Sequence, residues 1–510
     1  MKKSNLEANN KPMLNAYPDS LGGTLGDIVT FLGKDELSGT FSSFYILPSL
    51  YHTDLDRGFS VIDYNLEEQL ATKENLKDLR EMGIDLKLDF ILNHASVQSP
   101  QFKDLLKNGE NSPYKDFFIN WNEFWQGKGS MSDEGYIIPY DEYIKDMFFR
   151  KPGLPILMVE MPDGKRVPYW NTFYQEVKET PEGTRYLGQM DLNIKSDLVW
   201  DFYDETLRKI KEYGASIVRL DAFAYAPKEP GEKNFLNDPG TWDLLKKVRE
   251  LANKYGLTLL PEIHASYSEK IYEIIADKGY MTYDFFLPGL IIDAFENKYG
   301  DAVITWANEI IEKKIRTVNM LGCHDGIPLL DLKGLIKEDQ IENLIKTVVD
   351  RGGYVKDLHG AKNMYYQVNA TYYSALGEDD KKMLAARALQ LFMPGKPQVW
   401  YLDLLAGKND HEAVKAAGAG GHKEINRTNY SKDMMETALE KDVVKRQLEL
   451  LKFRNGFGAF SFDSDIEATA DGKLITIQWK NGEYVAKLEL NLDDYGFTIT
   501  AKDKNGVVTV

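Results

Sequence analysis

The sequence predicts an α/β fold: a (β/α)8 TIM barrel with a subdomain inserted after strand 3 and a C-terminal antiparallel β-domain. Three observations point there. Eight short apolar runs alternate with segments whose apolar residues recur at helical spacing, and such alternation argues for a parallel sheet covered by helices. Eight units of this kind close into a barrel. After them the pattern changes to a period of two, broken by Asn-Gly pairs, which marks hairpins.

The elements follow in order. "KPMLNAYP" and "FSSFYILPSLY" read as the first two strands. "DLKLDFILNH", Asp85 to His94, is the third, and the helix before it, "ENLKDLREMG", stops on Gly83, a usual terminator. Regularity lapses from Ala95 to about Asp191 in a span rich in Trp, Tyr, Phe, Pro and Gly. A structureless loop of that length is improbable inside a compact domain, so 95–190 reads as an inserted subdomain. The helix "DLVWDFYDETLRKIKEYG" resumes the alternation and leads to the fourth strand, "SIVRLDAF". Then come helix "PGTWDLLKKVRELANKYG", strand "LTLLPEIH", helix "YSEKIYEIIADKG", strand "MTYDFFLP", a helix around Leu290 to Lys313, strand "TVNMLGCHD", helix "EDDKKMLAARALQLFM" and strand "KPQVWYLDLL". The barrel thus occupies 1–94 and 191–455. From about Ser461, four alternating strands with turns at Asn481-Gly482 and Asn505-Gly506 make 456–510 a small β-domain.

Composition narrows the function. With 43% apolar residues in 510, the chain can bury a large core. Its 62 basic against 79 acidic residues, net −17, lack the basic excess of a nucleic-acid binder. A single cysteine, Cys323, forbids an intramolecular disulfide and fits a reducing compartment. The N-terminal lysines have no apolar h-region behind them, and no apolar run is long enough to span a bilayer. The expectation is a cytoplasmic protein acting on small molecules, with no nucleic-acid and no membrane partner and its oligomeric state open.

The strand ends carry the chemistry. The third ends in Asp89, Asn93 and His94, the fourth in Arg219 and Asp221, the fifth in Glu262 and His264, the seventh in His324 and Asp325. Isolated structural salt bridges would not select the same end four times, and that end is where such barrels build sites. Asp85 and Asp89, taken singly, read as structural. Three carboxylates, Asp221, Glu262 and Asp325, suit glycosidic chemistry through a covalent glycosyl intermediate. Arg219 is expected to keep Asp221 ionised. The apolar neighbours Leu260 and Pro261 are expected to raise Glu262 for general-acid work.

"DFILNH", "VRLDAFAYA", "PEIH" and "CHDG" resemble the four motif regions of the α-amylase superfamily, and "MDLN" at Met190 to Asn193 resembles a further region before the fourth strand. "RLDAFAYAPKEPG", "YQVNATYYSALG", "PGKPQVWYLDLLAGKND" and "INRTNY" are similar to sucrose phosphorylase and its relatives, from about Pro12 to the C-terminal strands. The resemblance implies a nucleophile at Asp221, a general acid/base at Glu262 and a transition-state stabiliser at Asp325. It implies glucose-holding residues at Asp56, His94, Phe173, Gln189, Arg219, His324 and Arg427. Arg150, Tyr366 and Gln367 fall in loops that resemble those bordering phosphate and acceptor. The implied reaction is retaining phosphorolysis of an α-glucoside, sucrose first, to α-glucose 1-phosphate. Inorganic phosphate is then a co-substrate, and neither cofactor nor metal is expected.

The chain also departs from the pattern of classical sucrose phosphorylases. "CHDGIP" places Cys323 and Pro328 beside the stabiliser, and Lys356, His359, Lys362, His422 and Lys423 add cations near the acceptor. Extra cations suit a phosphorylated sugar such as fructose 6-phosphate, so sucrose 6′-phosphate, glucosylglycerol and glucosylglycerate remain alternative substrates. Hydrolysis or transglucosylation on the same residues is a second reading. A non-catalytic carbohydrate-binding barrel is a third, weakened by the presence of all three carboxylates.

Overall fold

A run of short strands buried on both faces needs helices on the outside and side chains filling the inside. The computed structural model, which describes residues 9–181, 183–357, 365–418, 420–504 and 506–509, is built this way. Strands β1 (Met13–Ala16), β2 (Ser43–Ile46), β3 (Asp85–Ile91), β4 (Ala215–Asp221), β5 (Thr258–Pro261), β6 (Thr282–Asp284), β7 (Thr317–Met320) and β8 (Lys396–Trp400) form one sheet in the order β5-β4-β3-β2-β1-β8-β7-β6. Every ladder between them is parallel. The ends of the list, β5 and β6, lie side by side, but no ladder joins them among the described residues. The barrel is therefore closed by backbone everywhere except along this seam.

The barrel interior is polar in part. Lys87 Nζ donates to Gln398 Oε1 at 2.6 Å and to the Tyr283 hydroxyl, and lies 3.9 Å over the Tyr45 ring. Burial pushes its pKa well below the usual lysine value. Nearer the barrel floor, Lys396 Nζ donates to Ser43 Oγ at 2.8 Å. Asp85 accepts from the Ser43 and Ser216 hydroxyls, a structural duty.

The outer helices carry their own start and stop signals. Helix α1 (Leu25–Leu32) is capped by Thr24, and α2 (Lys73–Glu81) by a Thr72–Asn75 capping box. Gly83, at φ 75°, turns the chain into β3. Helices α3 (Asp197–Glu212), α4 (Gly240–Lys254) and α5 (Ile271–Asp277) follow the pattern read from sequence. The helix expected around Leu290 to Lys313 is two: α6 (Leu287–Asn297) and α7 (Asp301–Lys313), broken at Lys298, whose φ is 57°. The break lets the C-terminal domain approach, for a Cβ at Gly300 would stand 2.6 Å from Ile475 Cγ1. Helices α8 (Glu338–Asp350), α9 (Asp380–Phe392) and α10 (Asp442–Gly456) complete the shell.

The span 95–190 holds a helix (Pro100–Asn108) and three antiparallel hairpins, Gly129–Met131 with Ile137–Pro139, Ile156–Glu160 with Arg166–Trp170, and Gln175–Thr180 with Gly183–Asp191. It has its own small core of Ile119, Trp121, Trp125, Ile137 and Trp170, so these tryptophans are packing, not sugar platforms. The C-terminal sheet has five strands: β9 (Asp465–Asp471), β10 (Leu474–Asn481), β11 (Tyr484–Asn491), β12 (Phe497–Asp503) and β13 (Gly506–Thr509), all antiparallel. β9 is absent from the sequence reading because its buried face offers mainly alanine, Ala468 and Ala470, and alanine is a poor strand marker. No helix among the described residues is long and apolar enough to cross a membrane.

Gly300→Val tests the close approach at the helix break. The added branch collides with Ile475, and overpacking of this kind costs about 1–3 kcal/mol. Chemical denaturation should show that loss, while the same substitution at Gly456, where a Cβ meets nothing within 4 Å and the backbone is not left-handed, should cost less.

Candidate active site

The site grows from one buried guanidinium. Arg219 on β4 is 3% exposed and lies in register with Asp89 on β3. Its Nη1 donates to Asp89 Oδ1 at 2.5 Å and to Asp221 Oδ1 at 3.0 Å, and its Nη2 lies 3.5 Å from Glu262 Oε1. Alternation along β4 puts Arg219 and Asp221 on one side. Asp89 is completed by the Tyr45 hydroxyl at 2.8 Å, so it anchors the arginine rather than facing a ligand. Directly after Asp221 the chain turns through Ala222 at φ 53°, a left-handed conformation that costs of order 1 kcal/mol or more in a non-glycine residue.

Asp325 completes the trio from beyond β7. Lys423 Nζ sits 2.5 Å from its Oδ1 and His324 Nε2 lies 3.2 Å from its Oδ2. Burial would raise the Asp325 carboxyl, but His324, Lys423 and Arg427 hold it well below the usual range. Burial pushes Asp221 up to about 7 against the pull of Arg219, and the charges of Glu262, Asp89 and Asp325 add to the rise. Glu262 moves the other way: burial would raise it, but Arg219 and His264 bring it below its ordinary value. The expected order of the two carboxyls is thus reversed in the substrate-free site. Leu260 and Pro261 precede Glu262 in the chain, but the groups that face its carboxylate are cations.

Around the carboxylates stand the other residues singled out from sequence. His94 Nε2 contacts Phe59 O at 3.0 Å, and the His94 ring lies 4.9 Å from that of Phe173. Phe173 in turn meets Tyr225 at 5.3 Å, and Arg150 donates from Nη1 to the Tyr225 hydroxyl at 2.9 Å with its guanidinium 5.1 Å over Phe173. Arg150 therefore reaches the mouth. His324 stacks on Phe59 at 5.1 Å, and neither ring nitrogen has a well-formed hydrogen bond. Burial pushes its pKa below normal, against the pull of Asp325.

Arg427 donates from Nε to His324 O at 2.9 Å. Arg57, next to Asp56, donates to Arg427 O at 2.9 Å and pairs with Asp19 at 3.3 Å, which ties the two loops together. Gln189 lies between two loops. Its Nε2 donates to Phe59 O at 3.1 Å and its Oε1 accepts from Tyr174 N at 3.1 Å, so its amide links those two segments. Gln367 is buried in a strand, Tyr365–Asn369, paired with Tyr354–Asp357, not in an open loop. The side chains of Asp56 and Tyr366, and His359 entirely, lie outside the described residues, as does Lys362.

Sequence reading did not single out Phe59, Tyr225, Lys228 or Asp331. The last lies six residues beyond Asp325 in the same motif, which was the available signal. Lys228 is 4% exposed, and its Nζ sits 2.8 Å from Asp191 Oδ2 and 3.1 Å from Asn93 Oδ1. Asn93 also donates to Asp191 at 3.1 Å. The oxygens most suited to a hard cation beside the site thus already face an ammonium. Among the described residues no group of three or more His, Cys, Asp or Glu could hold a metal ion.

No family model matches the chain. It is 53% identical over 501 residues to a sucrose 6(F)-phosphate phosphorylase of Ilumatobacter coccineus, covering 96% of this chain and 95% of that one. The chain belongs to the sucrose phosphorylase family. Within the family it is also 34% identical to the sucrose phosphorylase of Streptococcus mutans, over 97% of this chain and 98% of the other. The crystal structure of sucrose 6F-phosphate phosphorylase from Thermoanaerobacter thermosaccharolyticum superposes with a TM-score of 0.87 at 35% identity, covering 98% of this chain and 97% of that one. An alpha-amylase from H. orenii shares the fold at 16% identity, with a TM-score of 0.61 over 95% of this chain and 89% of the other. This member of the family is accordingly an enzyme of the glycosyl-transferring, phosphorolytic kind.

Two outcomes follow from the site. Lys228→Met leaves Asp191 buried without its cation, and removing one partner of a buried pair costs about 3–5 kcal/mol. Thermal unfolding should show a correspondingly lower Tm. In the nucleophile role that the resemblance implies for it, Asp221 would have to be ionised, and it sits at about 7. The kcat/KM profile, which reports the free enzyme, should therefore fall as pH drops through about 7.

Proposed function

We propose that the enzyme cleaves sucrose 6(F)-phosphate with inorganic phosphate, giving α-glucose 1-phosphate and fructose 6-phosphate with retention. The carrying observation is the convergence of Asp221 and Glu262 on the Arg219 guanidinium with Asp325 opposite. One carboxylate can attack the anomeric carbon and a second can serve the leaving oxygen, as double displacement requires. In this reading Asp221 is the nucleophile, Glu262 the acid/base and Asp325 the stabiliser. His94, His324, Arg427 and Phe173 surround the glucosyl unit.

The choice of acceptor is supported by two features. Identity to the sucrose 6(F)-phosphate phosphorylase, 53%, well exceeds that to the sucrose phosphorylase, 34%. Lys423 also brings an ammonium to the mouth, where it contacts Asp325. Once a glucosyl unit covers Asp325, that ammonium can turn to a phosphoryl oxygen. Arg150 offers a planar fork suited to phosphate oxygens.

Initial rates with sucrose, sucrose 6(F)-phosphate, glucosylglycerol and glucosylglycerate, each with phosphate, test the reading. Sucrose 6(F)-phosphate should give the highest kcat/KM for glucose 1-phosphate, and Lys423→Ala should narrow its lead over sucrose by about tenfold or more, the worth of a hydrogen bond to a charged group. A higher kcat/KM on sucrose would assign the enzyme to unphosphorylated sucrose, and glucose without glucose 1-phosphate would assign it to hydrolysis. Asp221→Asn should lower turnover by about 10³-fold or more with an unchanged circular dichroism spectrum.

A further inference from the structure

Glu262 is the end of a chain of side chains. His264 turns Nε2 to Glu262 Oε1 at 3.2 Å and Nδ1 to Asp331 Oδ2 at 2.9 Å. Its ring stacks on Phe285 at 4.0 Å with the planes 23° apart. The His264 and Asp331 side chains are 8% and 9% exposed. An imidazole with a carboxylate at each nitrogen is satisfied as a double donor, which is the imidazolium form. Burial opposes that charge, but Asp331 and Glu262 hold His264 up at about 10. Asp331 is itself raised by burial.

We propose that the Asp331–His264 pair is the proton reservoir of Glu262, a positioning pair that loads the general acid when a glucoside seals the site. The proposal rests on the acid role read for Glu262 above. In the empty site the proton stays on His264 and Glu262 is a carboxylate, unable to protonate anything. A sugar filling the mouth displaces water and lowers the local permittivity. Separated charges then become costly. The proton moves from His264 Nε2 to the Glu262 carboxylate, and the imidazole keeps its Nδ1–H on Asp331. Glu262 passes the proton to the glycosidic oxygen as its bond to C1 breaks, and an Asp221 oxygen supplies the electron pair that bonds C1. Monohydrogen phosphate then attacks C1 and displaces Asp221. Its proton goes to Glu262 and back to Nε2, leaving the glucose 1-phosphate dianion and the starting charges.

The other charges facing these groups are Arg219 on β4 and Asp325 beyond β7 against Glu262, with Asp221 beside the same arginine, and Glu269 in the turn after β5 against Asp331.

Asp331→Asn and His264→Gln, assayed across pH with two donors, test the reservoir. One donor is the preferred α-glucoside, whose leaving oxygen needs a proton. The other is α-glucosyl fluoride, whose fluoride leaves without one. Both variants should lose about tenfold or more on the glucoside and stay within about threefold of the parent on the fluoride. The basic limb of kcat/KM on the glucoside should lie near 10 in the parent and move down by a unit or more in Asp331→Asn, because the histidine then surrenders its proton earlier. Equal losses on both donors, or an unmoved basic limb, would overturn the proposal. Fluoride release also certifies a folded site, and if Asp331→Asn does not fold, His264→Gln carries the donor comparison alone. A parent that makes no glucose 1-phosphate from any donor would defeat the phosphorolysis reading, yet the donor comparison survives with water as acceptor.

Discussion

A single buried cation organises the mouth of this barrel. Arg219 touches carboxylates from three strands, Asp89 on β3, Asp221 at the end of its own β4, and Glu262 just past β5. Charged groups leave water only when paired and hydrogen-bonded, so each acid is held where the guanidinium can reach it. Removing the cation would leave negative charges within a few ångströms of one another in a dry pocket. Asp89 has no exposed surface and braces the arginine from below with Tyr45. The floor under that layer is again ionisable, with Lys87 held by Tyr283 and Gln398. The precise placement of the acids thus depends on polar packing that reaches well inside the barrel.

The cations divide their work by depth. Arg219 and Lys228 are fully engaged by acids and amides within the fold, and Lys228 fastens the inserted subdomain, through Asp191, to Asn93. Lys423 and Arg150 come from connecting segments nearer the opening and contact a carboxylate or aromatic rings there. The inner cations fix geometry, while Lys423 helps hold the Asp325 carboxyl well below its usual range.

Much of this was legible in the sequence. Apolar runs and helix caps reveal eight strands because the barrel buries them all, and strand-end acids reveal the site because the barrel sends those ends to one face. The misreadings share a cause. The split between α6 and α7 answers to Ile475, some 175 residues away in the chain, and no local pattern records such a partner. Glu262 has apolar neighbours in sequence and cationic ones in space. Proton affinities belong to the assembled pocket, so sequence adjacency is a poor guide to them.

The seam between β5 and β6 has a mechanical meaning. Elsewhere around the rim, main-chain ladders lock one stave to the next. At the seam the link is made by side chains: Glu262 follows β5, Phe285 follows β6, Asp331 lies beyond β7, and His264 touches all three. The hoop is therefore fastened, at the one gap in its ladders among the described residues, by the side chains of Glu262, His264 and Asp331. Any shift in the charge of that clasp alters how tightly the two staves are drawn together.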